Sequence, residues 1–290
     1  MLFLKKKHNH GILKKSMALG MLLLMLTGCD AQMHPSGTPV TGADDEPRIP
    51  LTAADLTTEC QNPNVIDLNR VETDECRITQ PGCHVLSGEI NGTVRIDVED
   101  QNVHVVLNGV TVDSAYGPAL EVVSAGKVFL TLQEGSENFL SDAAVYPDTR
   151  DPDACIYSAC DMTINGSGDL HVYGYYKDAV HSKDVLKILG GNLFVQSKRN
   201  GLRGNDGVVV NCNSLDVQSE KNGIQSTKSG SDSKGNIEIY GSTCSVIGGD
   251  YAIACAADLY IADSSVYAMG ILGDIKVNGV SRIAEGNLQK

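Results

Sequence analysis

The chain has 290 residues, enough for one large or two modest domains, and a formal net charge of −13. It contains 30 Gly but no Trp and only 4 Phe, a composition suited to many short strands joined by tight turns. The negative charge excludes non-specific nucleic-acid binding, so we expect no nucleic acid among its partners.

Residues 1–29 predict a lipoprotein signal peptide. A lysine-rich start precedes the apolar run 17–26, which is too short for a transmembrane helix. The run leads into the sequence LTGC, which resembles the lipobox of bacterial lipoproteins, so its Cys29 is predicted to carry the lipid anchor. An ordinary secretory signal or an uncleaved anchor is the alternative. We therefore expect an exported, membrane-anchored lipoprotein, on the periplasmic face or the cell surface.

The region between the anchor and the repeats is predicted to hold a linker and a cap. Residues 30–55 begin with a stretch rich in Pro, Gly, Thr and acidic residues, which indicates a tether. Residues 56–83 are predicted to cap the N-terminal end of the domain that follows, because the open end of a repeat array needs covering.

Eight cysteines follow the lipobox, and an even set in an exported chain permits disulfides. Their spacing matches no zinc motif. We predict a local disulfide between Cys155 and Cys160. A second one is expected within the N-terminal trio of Cys60, Cys76 and Cys83.

From residue 84 to 290 the chain repeats short alternating segments. The sequences KDAV, RNGL and KNGI begin at Lys177, Arg199 and Lys221, an interval of 22 residues. A fixed period near 20 residues with strand-like alternation predicts an all-β fold, a single-stranded right-handed parallel β-helix. A β-sandwich also offers short strands, but it has no reason to repeat its sequence in register.

The repeat predicts which side chains point inward. Two coils of 22 residues should be followed by a longer third one, because extra residues lie around 227–235. Cys244 falls in the inward column of Leu193 and Leu215, so it is predicted to be a buried thiol. Gly190 and Gly241 match a corner where a left-handed backbone is useful. The first inward column consists of Val180, Leu202, Ile224 and Ile253.

Oxygen-bearing side chains recur at the turns in two outward columns. One holds Asp178, Asn200 and Asn222, and the other holds Asp184 and Asp206. Coils stack at about 4.8 Å, and Ca²⁺ takes roughly 6–8 oxygen ligands. We therefore predict Asp178, Asp184, Asn200 and Asp206 as calcium ligands. The alternative is a ladder in which these side chains hydrogen-bond to the turns without metal.

A third outward column is cationic and consists of Lys177, Arg199 and Lys221. The row either fans apart into solvent or receives the carboxylates of an acidic glycan. Sugar binding also needs exposed aromatic rings to stack on pyranose faces. The other predicted ligand-binding residues are His181, Lys183, Arg203, Tyr173, Tyr175 and Tyr176.

The segments DAVHSKDVLKILGGNLFV and NGLRGNDGVVV resemble the repeat of a bacterial family of carbohydrate-binding domain-containing β-helix proteins. That family is similar in fold to pectate lyases of polysaccharide lyase family 9, and the resemblance covers about residues 85–268. It implies an exported, often lipid-anchored protein that binds calcium on acidic turns and adheres to cellulosic or acidic sugars. Asn200 and Asn222 replace the leading aspartates of the motif, which leaves fewer carboxylates for calcium.

We therefore predict a monomeric cell-envelope lipoprotein that binds an acidic or cellulosic polysaccharide without catalysis and with the help of calcium. A structural or adhesive envelope protein is one alternative. A calcium-dependent polysaccharide lyase is another, and it would need a Lys or Arg base beside the metal. Lys177, Lys183, Lys187 and Arg203 are candidates for that base by position alone. The sequence does not name the polysaccharide or the membrane leaflet.

Overall fold

The structure, a computed structural model, describes residues 48–146, 152–230 and 233–289. The predicted signal peptide with Cys29, and the predicted tether up to residue 47, lie outside these ranges. Within them, no helix has the length and apolar character that a membrane span requires.

The described residues form two short 3-10 helices and 24 strands. The helices are Ala53–Leu56 and Leu68–Arg70. In chain order the strands are β1 Asn64–Asp67, β2 Glu75–Ile78, β3 Gly82–Ile90, β4 Thr93–Asp97, β5 Val103–Asp113, β6 Leu120–Ser124, β7 Val128–Leu132, β8 Glu137–Ser141, β9 Ala154–Ser158, β10 Met162–Gly174, β11 Asp178–Ser182, β12 Val185–Ser197, β13 Leu202–Gly204, β14 Gly207–Val210, β15 Ser214–Ser219, β16 Ile224–Ser226, β17 Asn236–Tyr240, β18 Thr243–Gly248, β19 Tyr251–Cys255, β20 Leu259–Ala262, β21 Ser265–Gly270, β22 Gly273–Val277, β23 Ser281–Ile283 and β24 Leu288–Gln289.

The strands pair in parallel with the equivalent strand of the next coil and enclose one core, as predicted for a parallel β-helix. The first face runs β1-β3-β5-β7-β10-β12-β14-β17-β20-β23. The second face runs β3-β5-β8-β10-β12-β15-β18-β21-β24, because the long strands β3, β5, β10 and β12 bend and serve both faces. The third face is a separate sheet, β2-β4-β6-β9-β11-β13-β16-β19-β22.

The predicted inward columns are confirmed by the strand register. Val180 pairs with Leu202, Leu202 with Ile224, and Ile224 with Ile253, and all four side chains are buried. Leu193, Leu215 and Cys244 stack in the same way on the second face. Cys244 is 3% exposed, which confirms the prediction of a buried thiol, and burial raises its pKa above the ordinary thiol value.

The bends between the first and second faces depend on glycine. Gly190 has φ +142°, and a Cβ atom there would lie 2.2 Å from the carbonyl oxygen of Gly166 in the coil below. Gly241 also has a positive φ, of +59°. Both observations confirm the predicted corner column, because only glycine adopts such conformations at no steric cost.

The cysteines confirm one disulfide prediction and overturn the other. Cys60 and Cys83 are bonded, with their Cα atoms 5.6 Å apart. Cys155 and Cys160 are free and buried, so the predicted local bond is wrong. The reason is that Cys155 lies in the extended strand Ala154–Ser158. A strand advances about 3.3 Å per residue, which carries the chain beyond the roughly 7 Å that a disulfide can span.

Residues 48–57, here called the N-terminal arm, pack along the first face, although residues up to 55 were predicted to be tether. The Arg48 guanidinium lies 5.5 Å from the ring centre of Tyr260, and the Ile49 side chain is buried. The Ile49 amide donates to Glu238 Oε1 at 2.7 Å. The folded unit therefore begins before the predicted cap. That cap region itself contributes parallel strands, β1 and β2, to the first coil.

Asp55 is the main anchor of the arm. Its side chain is fully buried against the first face, where Lys127 donates to Oδ1, Lys187 to Oδ2 at 3.0 Å and Thr163 to Oδ1 at 2.5 Å. Burial alone would raise the pKa of Asp55, but the hydrogen bonds from Lys127 and Thr163 hold the pKa well below its usual range. Lys187 is thereby committed to a structural ion pair, which removes it as a candidate base.

We expect Asp55→Asn to lower the free energy of unfolding by about 3–5 kcal/mol, because it leaves a buried ammonium group on Lys187 without its carboxylate. Urea denaturation would measure the loss. The double variant Asp55→Asn with Lys187→Met should recover part of it. A loss below about 1 kcal/mol in the single variant would contradict the assigned role of the arm.

The arm also carries a pH-dependent contact at Glu238. Burial raises the pKa of Glu238 to about 7, although the Ile49 amide and the charge of Arg48 act in the opposite direction. A carboxyl whose pKa is raised by folding stabilises the fold below its unfolded pKa, and that contribution is lost as pH rises through about 7. The favoured state of the contact is therefore the protonated one.

Glu238→Gln keeps the acceptor for the Ile49 amide but cannot ionise. We expect its melting temperature to match the wild type at pH 5 and to exceed it at pH 8. Differential scanning calorimetry at both values would test this, with the exposed Glu59→Gln as the matched control. A variant that is less stable than the wild type at pH 8 would show that the ionised carboxylate is the stabilising form.

Candidate functional site

The predicted binding residues lie on the outer surface of the third face and on the turns at its two edges, except Tyr173, which lies at the adjoining end of the second face. Register places Tyr157, His181 and Arg203 side by side in one outward column. The turn 175–177 joins β10 to β11. The amide of Arg199 donates to the carbonyl of Lys177, and the amide of Lys221 donates to the carbonyl of Arg199, so the three cationic residues follow one another on adjacent coils.

Two carboxylates and two guanidinium groups form a network on this face. Arg199 donates through Nε to Asp178 Oδ1 at 2.7 Å and through Nη2 to Asp178 Oδ2 at 2.8 Å and Asp153 Oδ2 at 2.5 Å. Arg203 Nη1 lies 3.2 Å from Asp178 Oδ2 and 3.4 Å from Asp153 Oδ2. We call these four residues the charge cluster. Its two negative and two positive charges cancel.

Asp153 is the functional candidate that sequence reasoning missed. Ala154 pairs with Asp178 in the register, so Asp153 stands one coil below Lys177 in the same row. Extending the cationic row by one coil towards the N-terminus would have reached it. That coil is 24 residues long rather than 22, because Ala154 pairs with Asp178, and the 22-residue interval therefore points to the wrong residue.

The charge cluster shifts the pKa values of its members. Burial alone would raise the pKa of Asp153, but the hydrogen bond from His181 and the charges of His181, Arg199 and Arg203 hold it well below its usual range. The hydrogen bonds to Asp178 raise the pKa of Arg199 above its ordinary value. Both groups therefore stay ionised at any physiological pH, as a pairing of buried opposite charges requires.

His181, one of the predicted ligand-binding residues, is buried in the strand Asp178–Ser182. Its side chain is 2% exposed, and Nδ1 lies 2.6 Å from Asp153 Oδ1. Nε2 lies 3.4 Å from Asn205 Oδ1, and the ring meets Tyr157 edge to face at 5.5 Å. Both ring nitrogens have partners and the ring is buried, so His181 positions Asp153 within the network.

The remaining cations of the predicted site lie against aromatic rings. The ammonium group of Lys177 is 4.6 Å from the ring centre of Tyr176, and that of Lys183 is 5.9 Å from the ring centre of Tyr157. Cation–π contacts of this kind attract a cation to the face of an aromatic ring. Lys221 is exposed at the end of the row.

Tyrosines form a platform at the corner between the second and third faces. Tyr176 stacks on Tyr146 with ring centres 4.2 Å apart, and Tyr175 stacks on Tyr173 at 6.1 Å. Tyr175 is 47% exposed. The predicted tyrosines are thus brought together, and part of their ring surface is available to a sugar.

The amide column forms a ladder along the turns. Asn200 Nδ2 donates to Asp178 Oδ1 at 2.8 Å, and Asn222 Nδ2 donates to Asn200 Oδ1 at 3.2 Å. Both asparagines are buried. These contacts match the ladder that was the alternative to calcium ligation, in which polar side chains of adjacent coils hydrogen-bond to one another.

The four predicted calcium ligands are not assembled into one shell. Asp178 and Asn200 belong to the charge cluster and its ladder. Asp206 is held by Lys234 at 2.8 Å and Lys228 at 2.7 Å. Asp184 lies near Asp206, and burial followed by the charges of Asp161 and Asp206 raises its pKa. The sequence placed all four in two adjacent columns, but it did not show that lysines from the long turn after β16 would bind Asp206.

Comparisons with known proteins bear on what this surface does. The family model of the carbohydrate-binding domain-containing proteins matches residues 72–276. The chain belongs to this family. A relative described as a carbohydrate-binding domain-containing protein, from Acetivibrio thermocellus, is 33% identical over 275 residues, which are 92% of this chain and 94% of that protein.

A solved structure supports the fold of this family member. It is described as a polysaccharide lyase-like protein from C. thermocellum, in a gadolinium derivative. The two superpose with a TM-score of 0.75 at 32% identity, over 79% of this chain and 98% of the other. Fold and family therefore agree with the resemblance in the repeat sequence.

One group in this family member has the spacing of a metal site. The candidate ligand atoms of Asp153, Asp178 and His181 lie within 4.8 Å of one another, and no other such group occurs in the ranges that the structure describes. However, the carboxylate oxygens accept hydrogen bonds from Arg199 and Arg203, whose charges neutralise them. Calcium also prefers oxygen ligands to imidazole. A calcium ion would have to displace both guanidinium groups, so the residues present do not fit it.

We expect removal of divalent metal with EDTA to leave the melting temperature unchanged within about 1 °C, because arginines already supply the positive charge. The double variant Arg199→Gln with Arg203→Gln should be less stable, because Asp153 and Asp178 lose their guanidinium partners. Added calcium should restore part of the loss by binding these two carboxylates. A wild-type protein that loses several degrees in EDTA would show that a resident metal is required.

Proposed function

We propose that this protein is an exported, lipid-anchored envelope protein that binds polysaccharide without cleaving it. The observation that carries the proposal is membership of a family whose members are described as carbohydrate-binding. The exposed ring of Tyr175 at the corner, with Lys177 over the neighbouring Tyr176, provides stacking and polar groups of the kind that sugars require.

The proposed location rests on the sequence that precedes the folded unit. The lipobox-like sequence at Cys29 supports a lipid anchor, and residues 30–47 supply the tether. The protein would then hold its binding surfaces away from the membrane as a monomer. The polysaccharide is its expected partner.

The state of the basic residues supports binding over catalysis. A lyase base must take a proton from the carbon next to a carboxylate, so it needs to reach the substrate uncommitted. Arg199 and Arg203 are held by two carboxylates, His181 is buried, and Lys187 is paired with Asp55. None of these four can approach a sugar without breaking an ion pair or leaving the sheet, which leaves Lys177 and Lys183 as the candidate bases that a product assay must test.

An acidic glycan would meet a weaker positive row than the sequence suggested. Arg199 is neutralised within the charge cluster, which leaves Lys177 and Lys221 of the row near the surface. We propose that these lysines, with Tyr175 and Tyr176, form the contact for acidic sugars. Because the charge cluster already balances its own carboxylates, we propose that this contact does not need calcium.

The second candidate is a polysaccharide lyase. The observation that favours it is the likeness to a structure described as polysaccharide lyase-like. A lyase would release unsaturated, ultraviolet-absorbing products from polygalacturonate, whereas a binding protein would leave the polymer intact.

Co-sedimentation with insoluble cellulose and with polygalacturonate coupled covalently to agarose beads, in calcium-free buffer, would test the proposal. We expect the wild type to sediment with at least one of them, and absorbance of unsaturated products to stay at the level of a blank. Leu215→Asp, which places an unpaired charge in the core, is the control for a folded surface. Growth of the absorbance would establish the lyase, and absence of sedimentation would leave a purely structural or adhesive protein.

A further inference from the structure

The second face carries a cavity of about 620 Å³ that has no part in the predicted site. It arises from one outward column, in which Phe194, Asp216, Ser245 and Tyr267 pair in register on four successive coils. A carboxylate and a hydroxymethyl group are much smaller than an aromatic ring. The two middle positions therefore leave a gap between Phe194 on one side and Tyr267 on the other, and this gap is the cavity.

One wall of the cavity is the end of an aromatic stack. His171 stacks on Phe139 with ring centres 4.6 Å apart and planes 16° apart. Phe194 follows His171 at 5.9 Å with its plane tilted by 41°. Among the described residues no ring continues the stack beyond Phe194, where Asp216 occupies the next coil. One face of the Phe194 ring is thus turned towards the cavity.

The floor offers hydrogen-bonding groups. Asn192, Ser214 and Thr243 form the neighbouring column, in which Ser214 Oγ donates to Asn192 Oδ1 at 2.9 Å. Asp216 lines the same cavity, and its Oδ1 is buried without a hydrogen-bond partner. An orphaned carboxylate oxygen costs free energy that a donor from a ligand would recover.

The charges around the cavity select against anions. No lysine or arginine lines it within the described residues, whereas Asp169 and Asp216 do. His171 is the one basic group there, and it lies 3.4 Å from Glu137. A carboxylated or phosphorylated ligand would meet repulsion without a compensating cation. The ligand that fits has an apolar ring face, several hydroxyl donors and no charge.

We propose that this cavity binds a pyranose unit of a neutral polysaccharide, with the sugar face on Phe194 and its hydroxyl groups on Asp216, Ser214 and Thr243. The inference rests on the proposed carbohydrate binding and assigns it a surface and a ligand class. It separates the neutral glycan on the second face from any acidic glycan on the third.

Isothermal titration calorimetry with cellohexaose, maltohexaose and hexagalacturonic acid tests the assignment at equal chain length. The variants are Phe194→Ala, which removes the stacking face, and Asp216→Asn, which keeps the shape but removes the charge that accepts hydroxyl donors. Ser245→Phe fills the gap with an outward ring and needs no change in the core. Asp100→Asn and Tyr116→Ala, both exposed and on other surfaces, are the matched controls.

We expect a neutral hexasaccharide to bind the wild type and both controls alike, and to bind each cavity variant at least tenfold more weakly. Circular dichroism melting curves would identify any variant that fails to fold. If Phe194→Ala is one of these, the test relies on the affinities of Asp216→Asn and Ser245→Phe. Wild-type affinity in all folded cavity variants would overturn the cavity assignment and leave carbohydrate binding intact.

Two other outcomes overturn the inference in different ways. Binding of hexagalacturonic acid alone would refute the neutral ligand class while supporting carbohydrate binding. Failure of the wild type to bind any of the three, together with no sedimentation on insoluble polysaccharide, would refute the proposed function itself.

Discussion

Parallel stacking of coils in strict register is the constraint on which the rest of this structure depends. Each strand finds its hydrogen-bond partners only in the coil above and the coil below, so equivalent residues must lie one above another. The inside then consists mainly of apolar columns such as Val180, Leu202 and Ile224. The same rule stacks polar residues in columns on the outside, where buried ones such as Asn200 and Asn222 hydrogen-bond to their neighbours in the column.

This rule explains how much of the molecule could be predicted from the sequence. Inward columns follow from alternation and period alone, so the position and burial of Cys244 could be predicted from counting. The contacts of long side chains do not follow from the columns, because such side chains reach residues of other coils. Arg199 contacts Asp178 and also Asp153, two coils below, and that contact replaced the predicted calcium shell with an ion-pair network. Asp153 was missed for a second reason, which is that its coil has 24 residues instead of 22.

One solenoid carries two surfaces of opposite chemistry. The third face carries arginines, lysines and carboxylates, and much of its charge is neutralised by ion pairs within the charge cluster. The second face presents rings, amides and hydroxyls with no lysine or arginine at its cavity, in the part of the chain that the structure describes. Because each face is built from separate columns, substitutions on one need not disturb the other. A repeat protein can therefore diversify its surfaces independently while its core stays the same.

The N-terminal arm has a mechanical consequence. It runs lengthwise along the first face, from Arg48 against Tyr260 in a late coil to Asp55 against Lys127 in an early one, and so crosses several coils that otherwise touch only their neighbours. A load arriving through the residues before Arg48 would be borne first by the contacts at Tyr260 and Glu238. The arm would peel from the late coils one contact at a time before the force reached the Cys60–Cys83 bond. A protein built this way would yield gradually when pulled from the residues before Arg48, while its early coils stay folded.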